Sequence, residues 1–173
     1  MADNSQNKMK EIKLEKVVLN MGVGKSGDAI ETAKKALDQI SNKKSCDRSA
    51  KKAYRDWGVR KGEPIGAAVT IRGNDAKNLL KKLLEAKGNN VNGRSFDKMG
   101  NLSFGIREHI DIPGIKYDPK IGILGLDVTA RLIRPGYNIR IRSRHKASVG
   151  KRHKITSTEA KEYLTKEFGV VVS

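Results

Sequence analysis

The stretch VVLNMGVGKSGDAIE, residues 17–31, sets Gly22, Gly24, Lys25 and Ser26 between an apolar run and an amphipathic segment. Such an order could cradle a phosphate. Glycines let backbone N–H groups close around an anion, and a lysine reaches its outer oxygens. The complete phosphate loop also needs a glycine five residues before Gly24, and Leu19 occupies that position. A leucine there argues against a nucleotide-hydrolysing enzyme built on Lys25 and Ser26. The glycines then read as a strand-to-helix turn, which can still meet an anion through the free N–H groups of the helix start.

Other reactive residues assemble no chemistry. His109, His145 and His153 lack zinc spacing with one another or with Cys46, and each reads as facing solvent or nucleic acid. Cys46 is the sole cysteine, so it forms no internal bridge, which fits a reducing compartment. Glu108 and His109 are neighbours on an expected strand and point to opposite faces, so they are no acid–base pair. No serine or cysteine nucleophile stands beside a base. The expectation is a protein that is not an enzyme, with no catalytic residue, metal, cofactor or small-molecule substrate.

Charge is the strongest signal. Lysine and arginine number 36 against 19 acids, a formal net charge of +17 over 173 residues. Such an excess repels itself unless a polyanion neutralises it, and nucleic acid is the commonest polyanion of the cytosol. A membrane surface is the rival, but no basic helix carries the Trp/Phe-rich face that insertion needs. Nor does any apolar run approach the roughly 20 residues of a membrane span. The polar opening MADNSQNKMK lacks the apolar core of a signal peptide. These features predict a cytoplasmic protein with a flexible start, residues 1–9, and one domain over 10–173, long enough to bury roughly two-thirds of its unfolded surface.

Periodicity supplies the elements. KEIKLEKVVLNMG, 10–22, alternates and then turns continuously apolar, a strand with Ile12, Leu14 and Lys16 on one side. Asp28 and Glu31 have capping-box spacing, and Ile30, Ala33, Leu37 and Ile40 recur at helical intervals to Ser41. PIGAAVTIRG, 64–73, is a strand. A helix follows from Asn74 or Asp75 to Gly88, with Leu79, Leu80, Leu83 and Leu84 as its apolar stripe. NLSFGIREHIDI, 101–112, and ILGLDVTARLI, 123–133, are strands separated by a proline turn. Thr156 and Glu159 open a last helix with Ala160, Tyr163, Leu164 and Phe168 inward, and GVVV ends in a strand. Alternating strands with helices on one side make an α+β fold of two layers, mostly antiparallel, with long basic loops.

Two segments break the pattern. Residues 42–61 hold eight Lys or Arg and read as an extended loop, in which Tyr54 and Trp57 lie among Lys51, Lys52, Arg55, Arg60 and Lys61. Rings interleaved with cations suit stacking on bases; a tryptophan can equally plug the base of its own loop. Residues 128–158 contain nine Lys or Arg and no acid, which favours nucleic acid over a merely solvated face.

KVVLNMGVG (16–24), RKGEPIGAAVTIRG (60–73) and GNLSFGIREHIDIPGIKYDP (100–119), followed by GLDVTARLIRPGY (125–137), resemble the universal large-subunit ribosomal protein L five, of archaeal type. The resemblance spans the chain from about residue 10 onward. It implies a structural protein of the central protuberance that binds 5S rRNA and helps attach it to large-subunit rRNA. It implies also a loop reaching P-site tRNA and a bridge to a protein of the small-subunit head. By the same resemblance Asn20 and Thr70 contact 5S rRNA. Lys43 stands where the family has a glutamine, and it can hold a phosphate but lacks the amide's paired donor and acceptor. Lys25 and Lys44 complete the candidate contacts. Residues 51–61 correspond to the tRNA-facing loop, with Trp57 in place of the usual phenylalanine. The helical N-terminal extension of bacterial members is missing.

Overall fold

The computed structural model describes residues 7–24, 27–115 and 117–173. Its strands are β1 (Lys13–Gly22), β2 (Cys46–Ser49), β3 (Pro64–Arg72), β4 (Asn90–Val91), β5 (Leu102–Ile106), β6 (Leu126–Ile133) and β7 (Val171–Val172). Five of them form one sheet in the order β2-β3-β1-β6-β5, each neighbour antiparallel. Helices α1 (Asp28–Ser41) and α2 (Asn74–Ala86) pack on one sheet face, and α3 (Ser157–Phe168) completes the core. β4 and β7 pair in parallel as a separate ribbon, so the expected final strand exists but lies outside the main sheet. The α+β, mostly antiparallel architecture agrees with the periodicity.

β1 lies at the centre and sets the two faces. Val17, Leu19 and Met21 are buried toward the helices, while Val18 and Asn20 turn to the other side. Leu14 is also buried, yet it has the opposite parity to Val17. A bulge reconciles them: Glu15 and Lys16 together oppose Arg131, and the register shifts between Leu14 and Lys16. Strict alternation would put Lys16 inward with Ile12 and Leu14; the inserted residue frees it. Glu15 settles instead between Arg131 and Arg72, its Oε2 2.9 Å from Arg131 Nε and its Oε1 3.6 Å from Arg72 Nη1. At the far end Gly22 pairs with Gly66. A Cβ on Gly66 would stand 2.7 Å from the Met21 carbonyl oxygen, so only glycine permits that approach.

Capping corrects the sequence reading at two helices. Asp28 does not cap α1: Gly27, at φ 105°, is the N-cap, and it places Asp28 and Glu31 in the first turn, where they act on the helix dipole. Gly73, at φ 72°, does the same before α2, so neither Asn74 nor Asp75 caps. Both chains turn too sharply for a residue with a Cβ at that point. The third cap forms as the spacing predicts. Thr156 Oγ1 accepts from the Glu159 N–H at 3.4 Å, and Glu159 Oε2 accepts from the Thr156 N–H at 2.9 Å.

Two expected strands are shorter than their apolar patterns. β5 stops at Ile106, and His109–Asp111 form a 3₁₀ turn; β6 begins only at Leu126. His109 is buried rather than facing solvent. Its backbone N–H donates to the Leu124 carbonyl at 3.0 Å, and its Nδ1 accepts from the Leu124 N–H at 3.3 Å. The ring supplies an acceptor where the ladder has ended, so this side chain is structural. His153 is likewise part of the frame, its Nε2 2.8 Å from the Pro135 carbonyl and its ring beside Tyr137; His145 is exposed, as expected.

Arg134, counted among the nine cations of 128–158, is buried as well. Its Nε donates to the Lys10 carbonyl at 3.0 Å and its Nη2 to Glu159 Oε1 at 2.8 Å, tying β6 to the chain start and to α3. Partial burial raises the Glu159 pKa, but the Thr156 N–H and the Arg134 guanidinium outweigh it and hold the carboxyl below its ordinary value. A carboxyl lowered in the folded state contributes stability above its unfolded pKa and loses it as pH falls through the folded value. Glu159→Gln should therefore lower the melting temperature at neutral pH by a few degrees, about 1 kcal/mol. The effect is modest because the side chain is 40% exposed. The gap from wild type should close below a pH of about 4; thermal unfolding across pH measures it, and a gap undiminished in acid would contradict this linkage.

Candidate nucleic-acid interface

The face of the sheet turned away from α1 and α2 is open. The register places Cys46, Ala68, Asn20, Asp127 and Gly105 in one row across five strands, and Thr70, Val18, Thr129 and Ser103 in the next. Asn20 is half-buried and Thr70 exposed on adjacent strands. They are diagonal neighbours, with Cα atoms roughly 7–8 Å apart. Neither side chain hydrogen-bonds to another described residue. The sequence reading does not single out Asp127, Thr129, Ser103 or Arg72, which share this face. Their signal is the alternation of β3, β5 and β6, which marks the face but not its use. Ser103 and Thr129 join through their hydroxyls at 3.2 Å.

Lys43 and Lys44 follow the C-cap of α1, three and two residues before Cys46, and both are exposed. Lys43 Nζ lies 2.8 Å from Asp75 Oδ2. An exposed pair of this kind is worth at most about 1 kcal/mol, so a phosphate can displace the carboxylate. Lys25 and Ser26 lie outside the described residues. Just before them the chain is held against β3: Val23 and Gly24 both donate their N–H groups to the Ile65 carbonyl, at 3.0 and 2.9 Å. Those donors cannot also wrap a phosphate tail. β1 is moreover antiparallel to both neighbours in a sheet with one open face, unlike the parallel, doubly covered sheet of phosphate-loop enzymes.

The basic segment 42–61 is more ordered than its composition suggests. β2 pairs with β3, and beyond them Tyr54 and Val59 exchange backbone hydrogen bonds at 2.9 and 3.1 Å, closing a hairpin tip. Trp57 is 75% exposed at that tip, not a plug at the base, and its ring centroid lies 5.2 Å from that of Tyr54. Under the pair runs a cavity of about 420 Å³ lined by Gly24, Ala50, Lys51, Lys52, Val59 and Ile65 among others. Arg55, Arg60 and Lys61 are also exposed. The hairpin therefore presents two rings and five cations together. Sequence periodicity misses it because the strand is short and pairs at the sheet edge.

One group of acids lies elsewhere. Glu11, Glu159, Glu162 and Glu167 line a groove with Tyr163, whose phenol is pushed up by burial first and by the Glu167 charge next. Among the described residues no group of three or more His, Cys, Asp or Glu could hold a metal, and no helix is long and apolar enough to cross a membrane.

The sequence matches known proteins along most of its length. Residues 64–170 match the family model for the C-terminus of the ribosomal L5 family, and residues 7–60 match the model for ribosomal protein L5. The chain belongs to the ribosomal protein L5 family. Among curated relatives of this L5-family chain is the large ribosomal subunit protein uL5 of Nitrosopumilus maritimus, 71% identical over the whole of both chains. The proteins of the same name from Cenarchaeum symbiosum and Pyrobaculum aerophilum are 68% and 48% identical. They are matched over 95% of this chain, and over 97% and 92% of their own lengths. All three organisms are archaea, in line with the archaeal type of the resemblance.

Trp57 is the only tryptophan, so its emission reports the hairpin tip of this L5-family chain alone. In the free protein the spectrum should be that of a solvated indole, readily quenched by acrylamide. Trp57→Ala should leave stability within about 0.5 kcal/mol. A shielded, blue-shifted emission would place the ring inside the fold instead.

Proposed function

We propose that this chain is a non-enzymatic structural protein of the large ribosomal subunit that binds 5S rRNA through the open face of its sheet. In this reading Asn20 and Thr70 make the specific contacts, and Lys43, Lys44 and Lys25 hold phosphates at the margin. The protein helps attach 5S rRNA to the large-subunit rRNA in the central protuberance. The hairpin 51–61 extends its rings and cations toward P-site tRNA, and the chain contributes to a bridge with a protein of the small-subunit head. It would reside in the cytoplasm, bound to ribosomes.

The observation that carries the reading is the open face itself. Among the described residues, a sheet in a protein of net charge +17 leaves one side uncovered by helices, with the Asn20 amide and the Thr70 hydroxyl near its centre and bonded to no other described residue. Membership of the L5 family supports the assignment of that face to ribosomal RNA. The division between face and hairpin has a physical basis. Folded RNA is read by shape, 2′-hydroxyls and polar contacts, whereas exposed elbows and loops are read by stacking. Stacking of this kind contributes about 1–3 kcal/mol per base.

Asn20→Ala and Thr70→Ala should each weaken 5S rRNA binding by about 1 kcal/mol, roughly fivefold, and should weaken binding to a random RNA less. Equal losses on both RNAs would remove these residues as a specific site, and equal wild-type affinity for both would indicate a general RNA chaperone. Deleting residues 53–59 should leave 5S binding intact while impairing translation by reconstituted ribosomes. Loss of 5S binding in that deletion would overturn the division of labour.

A further inference from the structure

Two adjoining cavities, of about 340 and 550 Å³, open beside the C-terminal end of β6 and share Met99 and Arg140 in their walls. The larger has an apolar wall of Met99, Ala147 and Val149 and cations at Arg140, Lys146 and Lys154. Neither cavity has an acidic residue in its lining. Among the described residues none of these three cations is paired with a carboxylate, and Arg140 Nη1 lies 3.7 Å from Met99 Sδ. The walls are tied to the frame. Ala147 donates its N–H to the Ile139 carbonyl at 3.1 Å, Val149 is buried, and the Tyr137 hydroxyl joins the Ile155 N–H at 3.1 Å to the His153 carbonyl at 3.3 Å.

We propose that this groove is a second RNA site, which takes one unstacked nucleotide with its base against Met99, Ala147 and Val149 and its phosphates among Arg140, Lys146 and Lys154. The proposal rests on the RNA-binding reading above. Pockets of several hundred Å³ with an apolar body and a few convergent polar groups accept ligands of this size. A thioether and two aliphatic side chains offer a flat apolar surface to the face of a base, and the cations are donors only, which suits phosphate oxygens and base carbonyls. A paired base cannot enter, because its faces are already stacked; an extruded or single-stranded one can. Arg131 belongs both to the open sheet face and to the smaller cavity, so a strand leaving the sheet would pass directly into the groove. That continuity favours RNA over an acidic peptide.

The test uses the full chain with a benzophenone amino acid at Ser148, an exposed residue of the larger cavity's lining that takes no part in the proposed contacts, irradiated with 5S rRNA and separately with large-subunit rRNA of Nitrosopumilus maritimus. The expected result is a crosslink to an unpaired nucleotide in one of the two, diminished at least several-fold by Lys146→Ala with Lys154→Ala. The same double variant should flatten the slope of log affinity against log salt by roughly 0.7–0.9 for each phosphate it no longer neutralises. Absence of an RNA crosslink, a crosslink confined to paired nucleotides, an unchanged salt slope, or capture of a protein in assembled subunits would each overturn the proposal. Failure of the sheet reading looks different: Asn20→Ala and Thr70→Ala would then bind 5S rRNA like wild type, whatever happens at Ser148.

Discussion

β1 is hydrogen-bonded along both edges, to β3 and to β6, and the remaining architecture follows from that position. From Lys16 to Asn20 the strand is paired on both edges, so its side chains decide what each face meets. Val17, Leu19 and Met21 require a cover, which α1 and α2 supply. Burying each such side chain is worth about 1.5–3 kcal/mol. Among the described residues no helix covers the opposite face, where Thr70 and Ser103 are exposed and Asn20 and Thr129 half-buried. The Glu15 bulge lets one strand serve both ends of the core without burying Lys16.

The positive charges sort into two kinds. Arg134 is a buried tie between the chain start, β6 and α3, while Arg131 and Arg72 are drawn to Glu15. These stabilise the fold. The cations of the hairpin tip and of the groove beside Met99 line surfaces that also offer rings or apolar side chains. A cation next to a flat apolar surface matches a nucleotide, which carries both a phosphate and a base.

Four acids, Glu11, Glu159, Glu162 and Glu167, share one groove with Tyr163 and Lys166, apart from the hairpin tip and from the groove beside Met99. A polyanion is drawn to the two basic surfaces rather than to this cluster of carboxylates.

Periodicity and composition alone determined the three helices, four of the five strands of the main sheet and the closing strand, the α+β class, the Thr156–Glu159 cap and the demand for a polyanionic partner. These are local or summed properties: a capping box is four residues long, and net charge needs no coordinates. The tertiary structure decided what depends on distant neighbours. Gly27 and Gly73 displaced the expected caps because the chain reverses sharply as it leaves the sheet. His109 went inside because Leu124, fifteen residues away, needed an acceptor. Trp57 stayed outside because its hairpin closes through Tyr54 and Val59 backbone and leaves the ring beside Tyr54 at the exposed tip. Asn20 and Thr70 are fifty residues apart in the chain, and only the antiparallel register of β1 with β3 brings them to one face.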